Sequence, residues 1–591
     1  MKAARLLEEF PPVTTAEWES VIARDLKGAD YEKKLVWRTE EGIAVRPYYR
    51  AEDLAGVTGI DGMPGEFPYR RGGQAGAAWK IREEIEASSA EEANRIACRA
   101  VRDGAEEIAF THLQVRDGAE LEVALANLDG IGVHFERADG VLMAALFDRF
   151  GRSEHALDGA ISTGCDPFAD AEFTAQVIAR APHGFVPFTI DAAKFEENGA
   201  NAVEEIGMAL AAGADLLAEM NARGLSADRA ATALQFRFAI GANYFFQIAK
   251  LRAFRPLWAR VVESFGGSPE AARTHITART SRWNQTVYDP HVNILRSTTE
   301  AVSAVIGGAN AIVLAAFDEC RKAPDEAGRR LARNTQLLLR HEAMLGRVAD
   351  PAAGAYYVEV LTDRLCGEAW KLLQEVEAGG GFKKLSIEGW VAERLADGLS
   401  AREKSVATRK RVFTGVSHYA NPAEHALESV DFERMNAGNR GARMFEQLRL
   451  RTERHIMAGG LAPRVLLAEI GDPKMRSARS SFAAGFFACA GFQTTVQRFN
   501  NAQGITGIES DLIVLCSSDA EYESIATELM SELRTLGIGT PVIVAGNPEN
   551  AEALKVLGVA DFVHLRSNPI EVLKKWQERL GIMHQPPASI G

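Results

Sequence analysis

Arg464-Val-Leu-Leu-Ala-Glu-Ile470 is followed by Gly471-Asp472-Pro473-Lys474-Met475-Arg476-Ser477-Ala478-Arg479 and then by a helical pattern through Gly485. The first seven residues read as a buried strand. Counting this one, five apolar runs alternate with helical patterns to the end of the chain. They are Val465–Glu469, Thr494–Gln497, Leu512–Cys516, Val542–Ala545 and Phe562–Leu565. Residues 461–591 are therefore expected to form a doubly wound domain of flavodoxin type. Ligands of such sheets sit outside the carboxyl ends of the strands. That rim would be made of the loops 471–479, 517–520, 546–549 and 566–569.

Upstream, residues 401–460 are charged and helical in parts (Ala401 to Arg411, Phe432 to His455) and end at Gly459-Gly460, which reads as a long connector. From 41 to 400, short apolar strands alternate with amphipathic helices. The clear strands are Glu107–Phe110, Gly132–Phe135, Phe185–Ile190, Leu234–Ile240 and Ala311–Ala315, with helices such as Asn201 to Ala212 and Gln247 to Ser264 between them. So long a run of strand-helix units favours a closed (β/α)8 TIM barrel over an open sheet. Residues 1–40 form an arm. Thr14 or Thr15 would cap a helix whose Trp18, Val21, Ile22 and Leu26 lie at helical spacing. Trp18 and the Leu35-Val-Trp37 cluster need a surface to pack on, either this chain's own body or another subunit.

Lys and Arg number 67 and Asp and Glu 80, a formal charge of −13. That balance, with no dense basic run, argues against nucleic acid. No apolar run reaches the roughly 20 residues that span a bilayer. The start, Met1 to Glu9, lacks a long apolar stretch, so neither a leader nor a membrane association is expected and the protein reads as cytoplasmic. Six scattered cysteines without a Cys-x-x-Cys pair read as small core residues in a reducing compartment, with no metal site among them.

Several strings carry a resemblance. They are Gly62-Met-Pro-Gly-Glu-Phe-Pro-Tyr69, Ala239 to Arg252, Thr280-Ser-Arg-Trp283, Asp289 to Arg296, Arg333-Asn-Thr-Gln336 and Asp350 to Glu359. In this order, and over nearly the whole chain, they resemble the methylmalonyl-CoA mutase family, most closely the small (beta) subunits of its heterodimeric bacterial members. The resemblance implies a CoA-ester-binding barrel joined to a cobalamin-binding domain. It also implies an isomerase in which adenosylcobalamin supplies the radical chemistry.

The same resemblance marks positions where the catalytic pattern is lost. The family's Asp-x-His-x-x-Gly loop, whose histidine ligates cobalt, aligns with Pro473, Met475 and Ala478. Ser517-Ser518 persists, whereas the loop for the nucleotide tail becomes Arg566-Ser-Asn-Pro569, where a large arginine would crowd the cavity. In the barrel, Lys194 stands where the family has a histidine near the substrate carbonyl. Ser162 lies in Ala160–Gly164, which replaces an amide clamp. Arg279 replaces a glutamine, and Gly73–Ala78 shortens a tyrosine-bearing loop. The resemblance therefore implies a degenerate cobalamin-type domain and a non-catalytic chain, with Lys194, Ser162, Arg279, Pro473, Met475, Ser517 and Arg566 vestigial. Adenosylcobalamin would sit on a homologous catalytic large (alpha) subunit, and the complex would act on an acyl-CoA. The other readings are an autonomous enzyme using Lys194 in altered barrel chemistry, and a regulator that senses CoA esters.

Gly307-Gly308 and Gly379-Gly380-Gly381 read as turn and helix-end glycines rather than phosphate cradles. Glu196-Glu197 and Glu204-Glu205 read as solvated helix faces, as does the Lys404, Lys410 and Arg411 group.

Overall fold

The computed structural model describes residues 13–76, 78–152 and 161–582. Residues 1–12 of the arm, Ala77, Ala160 and residues 583–591 of the expected C-terminal domain lie outside the described residues.

Eight parallel strands close into a barrel. They are β1 (Lys80–Ile85), β2 (Glu107–Phe110), β3 (Gly132–Phe135), β4 (Ile161–Cys165), β5 (Phe185–Asp191), β6 (Leu234–Ile240), β7 (Ile276–Thr280) and β8 (Ala311–Val313). Neighbours in sequence are neighbours in the sheet, and β8 closes on β1. Three strands escape a search for apolar runs: β1, β4 and β7. Their inward positions carry Arg82 and Glu84, Ser162, and Thr277 and Arg279, which break the apolar signal.

The helix Ala202–Ala222 is buried along nearly its whole length. It packs against Tyr244–Ser264 and Tyr356–Ala378. Gly207 makes that approach possible, since a Cβ there would come within 2.6 Å of Leu372. This packing overturns the expectation of solvated faces at 196–205. Glu204 is 9% exposed; it accepts the N–H of Asn201 in a capping box and pairs with Arg394 at 2.8 Å. Glu205 is 1% exposed and accepts from the Ala239 N–H and from Lys250 Nζ at 2.5 Å. Glu196 is buried on Ser281 and Arg402, and Glu197 is half-buried near Arg282.

The arm helix is Thr15–Asp25, capped by Thr14, and none of its residues is buried. Trp18 meets Tyr48 and Trp37 meets Phe246, yet each tryptophan remains 49% exposed.

In the C-terminal part, β9 (Arg464–Glu469), β10 (Gln493–Arg498), β11 (Leu512–Cys516), β12 (Val542–Val544) and β13 (Asp561–Phe562) form one parallel sheet. Its order is β10-β9-β11-β12-β13, the flavodoxin-like arrangement. The helix Trp390–Ala407 runs across residue 400. The helical stretch expected at 432–455 is two helices, Phe432–Asn436 and Arg443–Met457. Gly438, at φ +62°, turns the chain between them, and Gly441 packs on Phe413 and Trp283. Segment 413–450 is built into a core that Trp283 and Tyr288 share with Phe486, Phe487 and Trp576 of the C-terminal sheet's helices. It therefore joins barrel and sheet through side-chain packing as well as through the chain.

Candidate functional site

The lumen of the barrel is polar. Arg237 on β6 donates to Asp191 at the end of β5 (2.8 Å) and to Glu136 beyond the end of β3 (3.0 Å). Strands β3 and β6 are not neighbours, so the second bond runs through the interior. Arg279 on β7 holds Glu84 on β1 through two nitrogens (2.9 and 3.0 Å) and Glu319 at 3.1 Å. One layer lower, Arg82 pairs with Glu107 at 2.8 Å and donates to Thr277, while His134 Nδ1 lies 2.9 Å from Ser162 Oγ. A packed barrel of this kind is ordinarily filled by branched apolar side chains. Here the filling is ion pairs, three arginines set against five acids, and a mouth cavity of about 300 Å³ remains.

The pKa directions follow this pairing. Burial alone would raise the Glu84 carboxyl, but Arg279 holds it down at about 2. Burial, then the cations Arg82 and Arg237, push the His134 imidazole well below its ordinary value, so it is neutral. Below the β6 and β7 ends, burial raises the Glu300 carboxyl well above the usual range, and its hydrogen bond comes from Asn284 Nδ2 at 2.8 Å. Burial likewise pushes Glu205 up to about 7 despite Lys250.

At the C-terminal sheet, β9 and β11 are adjacent and their outer neighbours lie on opposite sides. The crevice at their carboxyl ends is thus the topological switch point where such folds bind ligands. Glu521 lies across it. Glu521 Oε2 accepts from Ser517 Oγ (2.8 Å), Ser518 Oγ (2.6 Å) and the Asp472 N–H (3.1 Å). These bonds hold its carboxyl at about 2, although little of it is buried. Gly471, at φ +78°, leaves the room, since a Cβ there would lie 2.5 Å from that carboxylate.

The loop expected at 471–479 is a helix from its third residue. Asp472 caps Pro473–Ala488, its side chain accepting the Met475 N–H at 2.8 Å, and Pro473 occupies the first helical turn, where a missing N–H costs nothing.

A family model described as methylmalonyl-CoA mutase matches residues 38–116 and 170–464. The small subunit of methylmalonyl-CoA mutase from Porphyromonas gingivalis is 35% identical, over 98% of this chain and 99% of its own. The Streptomyces virginiae small subunit is 31% identical over 98% of both chains. That of Propionibacterium freudenreichii subsp. shermanii is 30% identical over 90% of this chain and 89% of its own.

The chain belongs to the methylmalonyl-CoA mutase family.

Within that family it is a small subunit, and so part of an isomerase. The positions singled out from the mutase pattern fall into two groups. Ser162 and Arg279 lie inside the barrel, each already bonded to protein. Lys194 is exposed at the mouth on the short helix Ala193–Glu197, with Nζ 3.8 Å from Asp191. Pro473, Met475 and Ser517 meet at the C-terminal crevice, where Ser517 is fully buried. Arg566 departs from expectation. It is exposed, because the turn His564–Asn568 is closed by its own hydrogen bonds and Asn568 caps the helix Pro569–Arg579. The residue that bonds across the crevice is Glu521, which comparison with the mutase motif did not single out. Its signal is the string Ser517-Ser518-Asp-Ala-Glu521, a serine followed three residues later by an acid at a helix start. The partners Arg237, Glu84 and Glu319 were missed too; an arginine inside the apolar strand Leu234–Ile240 was the available sign.

Proposed function

We propose that this chain is the non-catalytic small subunit of a heterodimeric methylmalonyl-CoA mutase. Its homologous large subunit would carry adenosylcobalamin and interconvert (R)-methylmalonyl-CoA and succinyl-CoA. The observation that carries the reading is the C-terminal crevice. Met475, at the position of the cobalt ligand, sits in a helical turn with its N–H bonded to Asp472, and Glu521 occupies the room beside Gly471 and Asp472 at the entry to that helix. These residues do not fit a corrin tail or its lower ligand. The barrel supports the same reading, since the bonds of Arg237 and Arg279 are all made to this chain's own acids and backbone. The arm supports the partner, because Trp18 and Trp37 are only half covered by this chain and offer apolar area to a second subunit.

The purified chain is mixed with adenosylcobalamin, desalted and scanned in the visible. No corrin band should remain with the chain alone, and one cofactor should remain per heterodimer when the large subunit is present. A stoichiometric band on this chain alone would overturn the proposal. Restoring the ligand with Met475→His should give at most weak corrin binding and no turnover without the large subunit. Pro473 stands where the carboxylate that would orient the histidine is expected, and such partners matter about 10–100-fold.

A further inference from the structure

A second cavity, of about 430 Å³, opens beside the barrel mouth. It lies between the carboxyl ends of β4 and β5 and the helix Phe382–Ile387. One wall is apolar. The Phe382 ring stands 5.7 Å from Phe195 and 6.2 Å from Phe168, and Ile387 lies at the edge with 79% of its surface exposed. The other side carries three acids and three cations: Glu136, Asp166 and Asp191 with Lys194, Arg237 and Lys383.

These charges are not equivalent. Asp191 and Glu136 are both held by Arg237. Asp166 Oδ1 accepts the N–H of Phe168 at 2.9 Å. All three acids are thus engaged at hydrogen-bond distance. The lysines are held more loosely. Lys194 Nζ lies 3.8 Å from an Asp191 already committed to Arg237, and its side chain is 69% exposed. Lys383 Nζ stands 3.5 Å from Glu219. The six charges balance formally, and Lys194, the most solvent-open of the three cations, is the one that stands ready beside the apolar wall.

We propose that this cavity binds a small amphiphilic carboxylate, with its hydrocarbon body against Phe168, Phe195 and Phe382 and its head group at Lys194. The volume lies within the roughly 300–1,000 Å³ of small-molecule sites. A phenylalanine-lined wall suits the body, and an ammonium at the edge suits a carboxylate that keeps part of its hydration. The inference stands apart from the subunit role, since it requires binding and no turnover. Mutase activity or corrin retention by the chain alone would refute that role and leave this site untouched.

The test titrates octanoate, with octanamide as the neutral control, into the heterodimer by isothermal calorimetry. Matched complexes carry wild-type, Lys194→Glu or Ile387→Glu small subunits, so that binding to the large subunit cancels in the comparison. One saturable octanoate site per small subunit is expected. Lys194→Glu should weaken it about tenfold, and octanamide should bind the wild type weaker by a similar factor. Ile387 is exposed and outside the core, so Ile387→Glu should leave the fold intact and also weaken octanoate several-fold. Absence of saturable binding, binding indifferent to both substitutions, or octanamide binding as tightly as octanoate would each overturn the proposal.

Discussion

At the barrel mouth, Arg279, Glu84 and Glu319 have side chains only 10–19% exposed, and each charge is held by an opposite charge far along the chain or across the barrel. At the rim of the C-terminal sheet, one carboxylate near solvent, Glu521, is held by two hydroxyls and a backbone N–H. Both are places where α/β folds keep their ligands, and this chain occupies both with its own side chains. The difference lies in depth. In the barrel, removing any one charge strands another in a poorly solvated interior. At the rim, water can replace a lost partner. The barrel filling should therefore be cooperative and costly to alter, and the rim filling local and cheap.

The largest expected effect tests the barrel half of this contrast. Arg279→Met leaves Glu84 and Glu319 without their shared cation and should cost about 3–5 kcal/mol in urea unfolding. Replacing all three by leucine should recover most of that loss, because a buried ion pair is often no better than well-packed apolar residues. A loss below about 1 kcal/mol for the single change would mean that the mouth is wetter than the geometry indicates.

A second effect separates regions by the sign of their pH dependence. Glu205 in the barrel wall has its folded pKa raised to about 7 by burial, above the ordinary value of 4.5. Its contribution is fully present below about pH 4.5 and is lost as pH rises through about 7. Glu521 has its folded pKa lowered to about 2 by hydrogen bonds. Its contribution is present above about pH 4.5 and is lost as pH falls toward 2. Stability curves of Glu205→Gln and Glu521→Gln against wild type should diverge in these opposite windows, measured by denaturant midpoint from pH 3 to 8 at about half-unit steps. Parallel curves for the two variants would contradict the assignment.

The smallest effect probes the crevice itself. Gly471→Ala puts a Cβ at positive φ against the Glu521 carboxylate and should cost about 1–2 kcal/mol. In a Gly471→Ala, Glu521→Ala double mutant the penalty should fall, since the contact is gone and only the backbone strain remains. Strict additivity of the two changes would show that Glu521 does not fill the space beside Gly471.

Much of the architecture was legible from local pattern. Five of the eight barrel strands and β9, β11 and β12 of the C-terminal sheet coincide with apolar runs, because both faces of these parallel strands are covered; the edge strand β10 is polar and exposed, and β13 shares only Phe562 with the expected run. In the strands that escaped, inward charged or hydroxylated residues are not offset by the phenylalanines that keep β2, β3 and β6 visible. Acids on helices were misread for a related reason. Glu204 and Glu205 look solvent-facing in sequence, but both are buried, and each finds a partner far along the chain, in Arg394 and Lys250. Arg566 was expected to crowd a cavity because its loop matches the family's nucleotide-tail loop, whereas its side chain is exposed.

The sequence by itself determined the alternation of strands and helices, the order of the family motifs and the absence of a histidine at Met475. These depend on periodicity and residue identity, which need no knowledge of distant neighbours. Only the tertiary structure decided which side chains meet at the barrel mouth and at the sheet rim. Barrel closure brings Glu136 to Arg237, 101 residues away, and the sheet brings Asp472 to Glu521, 49 residues away. Which charge meets which is set by strand register and by depth of burial, and neither is written in any local stretch of the chain.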